Sequence, residues 1–166
     1  VKPAVSFYLD NSDKYQVSKD IIMGGVSAGA HLAMLHSYKN DKGKHVKAVI
    51  DFYGPVNLTA LWNEGFLQQL ALLEVVGSLY PDNPAIYTNS SPIHFISNQS
   101  PPTIALQGGI DFLVPPAQTS QLINKLNEKG VKNQLVYYPL ESHGWGGANL
   151  IDSYAKIVAF ITENTK

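Results

Sequence analysis

The chain has 166 residues, 45% of them hydrophobic and 15% charged, which gives enough apolar content for the core of one globular domain. Its formal net charge is −1, and all twelve of its basic residues are lysine. Proteins that bind nucleic acids commonly use the paired N–H groups of arginine to contact guanine and phosphate. Because this chain has no arginine, we expect no nucleic-acid partner. The chain contains no cysteine, which excludes a disulfide framework, a thiol nucleophile and a zinc–thiolate site. No stretch reaches the length of a transmembrane span, and the compartment, cytoplasmic or exported, stays open.

Helices and strands are expected to alternate along the chain. In chain order, the expected elements are a helix over 1–11, a strand over 20–24, a helix over 28–38, a strand over 46–53, a helical stretch over 58–80, a strand over 103–107, a helix over 118–129, a strand over 134–138 and a helix over 151–162. Breaks are expected at Gly65 and Gly77. The segment 81–102 holds five of the ten prolines, so we expect it to be largely irregular, with room for one short helix.

This alternation predicts an α/β fold, a parallel sheet of about four strands with helices on both faces. We expect one domain over 1–166. The segment 58–102 is expected to form a small cap over the ends of the strands.

A serine stands between the first strand and the following helix, within Gly25-Val26-Ser27-Ala28-Gly29. This spacing is that of the nucleophile elbow, a sharp turn that exposes a serine hydroxyl above the sheet. Glycines on both sides of the serine would let strand and helix approach closely. The backbone N–H of Ala28 would then lie at a helix N-terminus, where it can face an oxyanion.

Two more residues complete a predicted catalytic set. Acyl transfer by a serine needs a base that accepts its proton and an acid that orients the base. Asp111 lies four residues after the third strand, and His143 lies five residues after the fourth. Both positions are carboxyl ends of strands, where sites of open α/β sheets form. The order along the chain predicts Ser27 as nucleophile, His143 as base and then acid, and Asp111 as orienting acid.

The segment 25–33 resembles the elbow of α/β-hydrolase-fold serine esterases and lipases of the hormone-sensitive-lipase and feruloyl-esterase-like carboxylesterase group. The other segments that resemble this group are Phe52–Pro55, Ser100–Thr103, Gly108–Pro115 and Ser142–Gly144. The resemblance covers the whole chain and implies hydrolysis of small-molecule carboxylic esters without a cofactor. The chain departs from the group at Ala30, where the group usually has glycine, and at Gln107, where it usually has histidine.

The family also has a His-Gly-Gly loop that supplies a second oxyanion donor, and this sequence has no such segment. Four strands are expected where the fold usually has eight. We therefore expect the chain to be the C-terminal portion of a larger hydrolase, weakly active or inactive by itself because one donor is lacking. The apolar strand 20–24 would then be an exposed sheet edge, through which a homodimer could form.

Several other residues have a structural and a functional interpretation. Asp51 is the second candidate for the acid, although its place in an apolar strand favours a structural, hydrogen-bonded role. Trp145, close to His143 in the sequence, is the best candidate for touching substrate. The stripe Trp62, Phe66 and Leu67 could line an acyl pocket, but such stripes are typical of a core.

The remaining histidines give no sign of a metal site. No two have the i, i+4 zincin spacing with a glutamate, so we expect no metal ion. His31 is expected to be packed or capping. We expect His36 and His45 to face solvent, and His94 has no evident partner.

Two other functions share these features. A serine peptidase of the prolyl-oligopeptidase type has the same Ser, Asp, His order. A non-catalytic binding domain on the α/β-hydrolase fold is the other alternative, since fold does not fix function. The presence of Ser27, Asp111 and His143 argues against the binding domain, which has no need of all three. The preferred acyl and alcohol groups are not predicted.

Overall fold

The computed structural model describes residues 1–165. Its helices and strands are α1 (Lys2–Asp10), α2 (Ser12–Tyr15), β1 (Ile21–Val26), α3 (Ala28–Leu35), β2 (Val46–Phe52), α4 (Leu58–Trp62), α5 (Phe66–Val76), α6 (Pro84–Ser90), β3 (Thr103–Gly108), α7 (Pro116–Glu128), β4 (Asn133–Tyr138) and α8 (Gly147–Asn164). A π-helical turn, His36–Asn40, follows α3, and a 3₁₀ turn, Pro92–Phe95, follows α6. None of these helices is long and apolar enough to span a membrane.

The four strands form one parallel sheet in the order β1-β2-β3-β4. Gly25 of β1 lies opposite Asp51 of β2, and Asp51 lies opposite Ala105 of β3. Strands that follow each other in the chain are therefore neighbours in the sheet. All four carboxyl ends meet at one edge, where the loops that follow the strands can build a site.

Helices cover both faces of the sheet, as the sequence predicts. Successive side chains of a strand point to opposite faces, so each strand contributes to two clusters. One cluster packs the sheet against α3 and α7 and includes Met34, Val49 and Leu122. The other packs it against α8 and includes Leu106 and Phe160. The predicted parallel α/β architecture is confirmed.

The end of α3 differs from the sequence prediction. The helix expected over 28–38 becomes a π-helical turn at His36, and this turn packs against the 3₁₀ turn after α6. His36 is buried there, so the prediction that it faces solvent is wrong. His45 is partly exposed, and its ring lies close to Gly43. His94 is exposed.

The segment between β2 and β3 forms a small cluster of its own. Helices α4, α5 and α6 share a buried apolar cluster that includes Leu61, Leu72 and Tyr87. The ring of Trp62 packs against Tyr87 with 5.7 Å between centroids. As predicted, glycines separate the helices, and Gly77 ends α5 in the left-handed conformation. Two of these helices, α4 and α5, supply walls of a pocket described below.

Candidate active site

Ser27 occupies the sharp turn between β1 and α3. Its backbone has φ 53° and ψ −119°, a conformation that costs free energy for a residue with a Cβ. The turn is held on both sides by hydrogen bonds. The N–H of Ser27 donates to the carbonyl of Phe52 at 2.8 Å, and its carbonyl accepts from the N–H of His31 at 3.0 Å. This geometry is the strand-to-helix elbow that the sequence predicts.

The two glycines of the elbow differ in what they do. A Cβ on Gly25 would lie 2.6 Å from the backbone nitrogen of Ala30, so the close approach of strand and helix requires glycine there. A Cβ on Gly29 would meet nothing within 4 Å, because this residue lies on the exposed side of α3. The steric reason expected for both glycines is therefore right for Gly25 and wrong for Gly29. Ala30 is accommodated by Gly54, where an added Cβ would lie 2.6 Å from the Ala30 methyl.

The structure brings Ser27, His143 and Asp111 into one hydrogen-bonded chain. The Nε2 of His143 lies 2.9 Å from the Oγ of Ser27, and its Nδ1 lies 2.7 Å from the Oδ2 of Asp111. The Asp111 side chain is fully buried and that of His143 is 17% exposed. A carboxylate at Nδ1 favours the tautomer with its proton there, which leaves the Nε2 lone pair facing the serine hydroxyl.

The loop after β3 fixes the Asp111 carboxylate. Its Oδ1 accepts the backbone N–H groups of Leu113 and Val114, both at 3.0 Å. Its Oδ2 is left for His143. The buried amide of Gln107 donates to the Val114 carbonyl at 3.3 Å and lies 3.4 Å from Oδ2. Gln107, which stands where the resembling group usually has histidine, thus holds the loop that carries Asp111. The sequence alone does not indicate this contact.

Tyr53, a residue that sequence reasoning missed, packs against the imidazole of His143. The centroids of the two rings are 4.7 Å apart, and Tyr53 has φ 44° at the turn that follows β2. Trp145 lies against Tyr53 at 5.1 Å, and its indole N–H donates to the Oγ of Ser153 at 2.9 Å. The one sequence signal for this arrangement is the Phe-Tyr-Gly-Pro segment directly after a strand.

Trp145, the expected substrate contact, packs against Tyr53 and the cluster beside α8. It is not among the residues that line the pocket next to Ser27. Its indole N–H donates to Ser153.

Asp51, the second candidate for the acid, does not contact His143. Its side chain is fully buried, and its Oδ1 accepts the N–H of Gly54 at 2.7 Å. Its Oδ2 has no hydrogen-bond partner among residues 1–165. Burial raises the pKa of this carboxyl to about 7, and the bond from Gly54 opposes the rise. Asp51 therefore has the structural, hydrogen-bonded place that its apolar strand suggests, beneath the turn that carries Tyr53.

The backbone N–H of Ala28 is the first of helix α3, where N–H groups have no acceptor within the helix. The helix dipole adds partial positive charge at this end. His31, one turn further along α3, is buried, and its Nδ1 lies 2.8 Å from the carbonyl of Pro55. Burial lowers the pKa of His31, which favours a neutral ring that donates to Pro55, as expected for a packed histidine.

An apolar pocket of about 240 Å³ opens beside the triad. Ser27, Ala28 and His143 line it together with residues of α4, α5 and the loop after β3. Of the three residues in the predicted stripe, Leu67 lines the pocket, whereas Phe66 is 74% exposed and Trp62 packs in the cluster of α4 to α6. Within the described residues, no group of three histidine or acidic side chains is placed to hold a metal ion.

Comparison with known proteins places this geometry in a family. The model of the BD-FAE family matches residues 1–126, which include Ser27 and Asp111. Esterase LipQ of Mycobacterium tuberculosis is 33% identical over 143 residues, which cover 78% of this chain and 34% of LipQ. The chain thus spans about a third of the length of this curated relative.

Two solved structures share the fold. A truncated form of a carbohydrate esterase from gut microbiota superposes with a TM-score of 0.84 at 22% identity, covering 98% of this chain and 66% of that one. A puromycin-hydrolyzing peptidase of Mycobacterium tuberculosis gives a TM-score of 0.84 at 22% identity, covering 98% of this chain and 24% of that one. With the family match, these findings identify the chain as a member of the BD-FAE family of α/β-hydrolase esterases.

Proposed function

We propose that this chain carries the catalytic machinery of a carboxylic ester hydrolase that acts on small-molecule esters through an acyl-enzyme. The observation that carries the proposal is the chain of hydrogen bonds from Asp111 through His143 to Ser27, beside an apolar pocket that Ser27 and His143 line. Membership of an esterase family supports it. No cofactor is needed for this chemistry, because the nucleophile, base and acid are all side chains.

The proposed reaction has two halves. In the first, the Oγ of Ser27 bonds to the ester carbonyl carbon while its proton passes to the Nε2 of His143. Asp111 stabilises the resulting imidazolium, and the N–H of Ala28 faces the oxyanion. The carbon–oxygen bond to the alcohol then breaks, and the alcohol leaves with the proton from His143. In the second half, the oxygen of water bonds to the acyl carbon while His143 takes its proton. The bond between that carbon and the Oγ of Ser27 then breaks, His143 returns the proton to Oγ, and the carboxylic acid leaves.

We also propose that these 166 residues by themselves turn over slowly. The N–H of Ala28 is one oxyanion donor, and the sequence has no His-Gly-Gly segment to supply the family's second donor. Loss of one donor lowers kcat by roughly 10²- to 10³-fold in well-studied hydrolases. A turnover equal to that of the longer esterase relatives on the same ester would contradict this proposal.

We propose that the segment 58–102 acts as a small cap over the site. Its helices share a separate apolar cluster, and α5 faces the pocket through Leu67 and Leu72. Gln68 of α5 connects the cap to the loop that carries Asp111, because its amide donates to the Phe112 carbonyl at 2.7 Å. Replacing residues 66–77 by a short glycine linker should therefore change the relative rates on different esters. It should change the labelling of Ser27 by a fluorophosphonate less.

A peptidase of the prolyl-oligopeptidase type is the second candidate, since a solved peptidase superposes as well as the esterase does. Initial rates on p-nitrophenyl acetate and on an N-acylated amino-acid p-nitroanilide separate the two. We expect release of nitrophenol by the wild-type chain, none by Ser27→Ala, and little release of nitroaniline. A higher rate on the anilide would favour the peptidase. If neither substrate is turned over and Ser27 is unreactive, the non-catalytic binding domain becomes the better account.

A further inference from the structure

We propose that the pocket beside Ser27 binds the acyl group of the substrate and selects extended aliphatic chains over acetyl groups. The side chain of Ala71 on α5 determines how long an acyl chain the pocket can hold. This inference rests on the proposed ester hydrolysis and names the substrate class of the same site. The pocket walls, the position of the nucleophile and the face of α5 each contribute to the argument.

The pocket suits a hydrocarbon group. Its walls are mainly leucine, alanine and valine side chains, among them Leu61, Leu72 and Val114. Its volume of about 240 Å³ exceeds that of the roughly 150 Å³ apolar cavity that accepts benzene in an engineered protein. An acetyl methyl would leave most of this space unfilled, whereas a chain of several methylenes would occupy it and be removed from water.

The acyl side of the ester is the side that the pocket fits. The bond that forms joins the Oγ of Ser27 to the acyl carbon, and the N–H of Ala28 faces the acyl oxygen in the proposed reaction. Ser27 and Ala28 are among the residues that line the pocket. The chain attached to the acyl carbon therefore starts beside the apolar walls.

The polar groups of the pocket argue against charged and sugar-like acyl groups. No lysine lines the pocket, so an acyl group with a second carboxylate would find no opposite charge there. Gln68, the buried amide of the wall, already donates to the Phe112 carbonyl at 2.7 Å. His31 is engaged at Nδ1 by the carbonyl of Pro55. Hydroxyl groups of a sugar acid would therefore lose hydrogen bonds to water with few replacements.

Ala71 is the residue that determines how much space the pocket offers to an acyl chain. Leu67, Ala71 and Val75 are spaced four residues apart, so they form one row along α5 and all three line the pocket. Ala71 is the smallest of them and lies in the middle of the row. The wall is fixed by Gln68, whose bond to the loop of Asp111 holds α5 beside the triad. A larger side chain at Ala71 would take up space in the pocket from its wall.

The test compares wild type, Ala71→Phe and Leu70→Phe on acetyl and hexanoyl esters of p-nitrophenol. Leu70 is a half-exposed neighbour on α5 that does not line the pocket, so Leu70→Phe is the matched control. Each buried methylene is worth about fourfold, so wild type should prefer hexanoyl in kcat/KM by roughly 10²-fold. We expect Ala71→Phe to lower this preference at least about tenfold and Leu70→Phe to leave it unchanged. An unchanged preference in Ala71→Phe would overturn the inference.

Two further measurements separate this inference from the proposed function. Ethyl hexanoate and hexyl acetate are isomers, so faster hydrolysis of hexyl acetate would assign the pocket to the alcohol and overturn the acyl assignment. Binding of methyl hexyl ketone to Ser27→Ala, followed by NMR against methyl ethyl ketone, needs no chemistry. If the longer ketone binds more tightly to Ser27→Ala, and if adding Ala71→Phe removes this difference, the assignment of the pocket is supported even when no ester is hydrolysed. Equal binding of both ketones overturns it even if esters are hydrolysed.

Discussion

The Nε2 of His143 lies 2.9 Å from the Oγ of Ser27, although 116 positions separate the two residues in the chain. Ser27 follows β1 and His143 follows β4, which are the outer strands of the described sheet. The loop that carries His143 must therefore cross back over the end of β3. The glycine pair at the end of β3 permits this close approach. A Cβ on Gly108 would lie 2.6 Å from the Glu141 carbonyl oxygen, and one on Gly109 would lie 2.5 Å from that of Pro139.

Substitution of the two glycines of the elbow should have opposite outcomes. Gly25→Ala puts a methyl group against the backbone of α3, so we expect a loss of about 1–3 kcal/mol or more in the free energy of unfolding. Gly29→Ala meets no atoms and removes a helix-destabilising glycine, so it should be neutral or slightly stabilising. Urea denaturation of both variants checks this, and an equal loss in both would contradict the described packing.

Asp111→Asn should lower kcat by roughly 10⁴-fold while leaving the fold intact, as the same change does in other triads. The asparagine oxygen can still accept from Leu113 and Val114. Its NH₂ would then face Nδ1 of His143 and favour the wrong tautomer. Steady-state kinetics with Asp51→Asn as the control carboxyl measures the effect. A larger loss of kcat in Asp51→Asn than in Asp111→Asn would transfer the role of the acid to Asp51.

The buried carboxyl of Asp51 should make stability depend on pH. Its pKa is about 7 in the folded chain, above the ordinary value of about 3.9, so the folded state binds this proton more tightly than the unfolded state. The contribution to stability is therefore complete below pH ~4 and is lost as the pH rises through about 7. Asp51→Asn keeps an oxygen for the N–H of Gly54 but does not titrate.

The measurement is the free energy of unfolding of wild type and Asp51→Asn between pH 4 and 8. Across this pH range, the free energy of unfolding of Asp51→Asn should rise relative to that of wild type. The rise should be about 1.4 kcal/mol for each unit by which folding raises the pKa of Asp51. Other titrating groups are common to both proteins and cancel in the difference. Parallel pH profiles for the two proteins would contradict the buried, protonated carboxyl.

We propose that the outer edge of β1 pairs with a second copy of the chain at high concentration. β1 is an outer strand of the described sheet, and Ile22 and Val26 on it are 43% and 53% exposed. A lysine on an edge strand opposes such pairing. Ile22→Lys should therefore abolish the dimer in multi-angle light scattering, whereas Leu140→Lys, at a loop residue that is 85% exposed, should keep it. A monomeric wild type at millimolar concentration would contradict the proposal.

Local patterns in the sequence predict the four strands and the elbow, and the structure contains them. Each apolar strand and each glycine break depends on neighbours a few residues away, so periodicity and spacing reveal them. The residues that hold the site in place contact partners that are far away in the sequence, so local patterns do not reveal them. Tyr53 meets His143, and Gln107 meets Asp111 and Thr119, only because the sheet brings separate loops together. The π-helical turn that holds His36 likewise packs against residues more than 50 positions away.

The most direct test of the account is the intact mass of the chain after incubation with a fluorophosphonate. This reagent needs a serine whose proton can pass to a neighbouring base, and labelling requires no completed turnover. We predict a single adduct on the wild-type chain that Ser27→Ala abolishes and His143→Asn strongly reduces. An unlabelled wild-type chain, or an adduct that persists in Ser27→Ala, would contradict the assignment of Ser27 as the nucleophile.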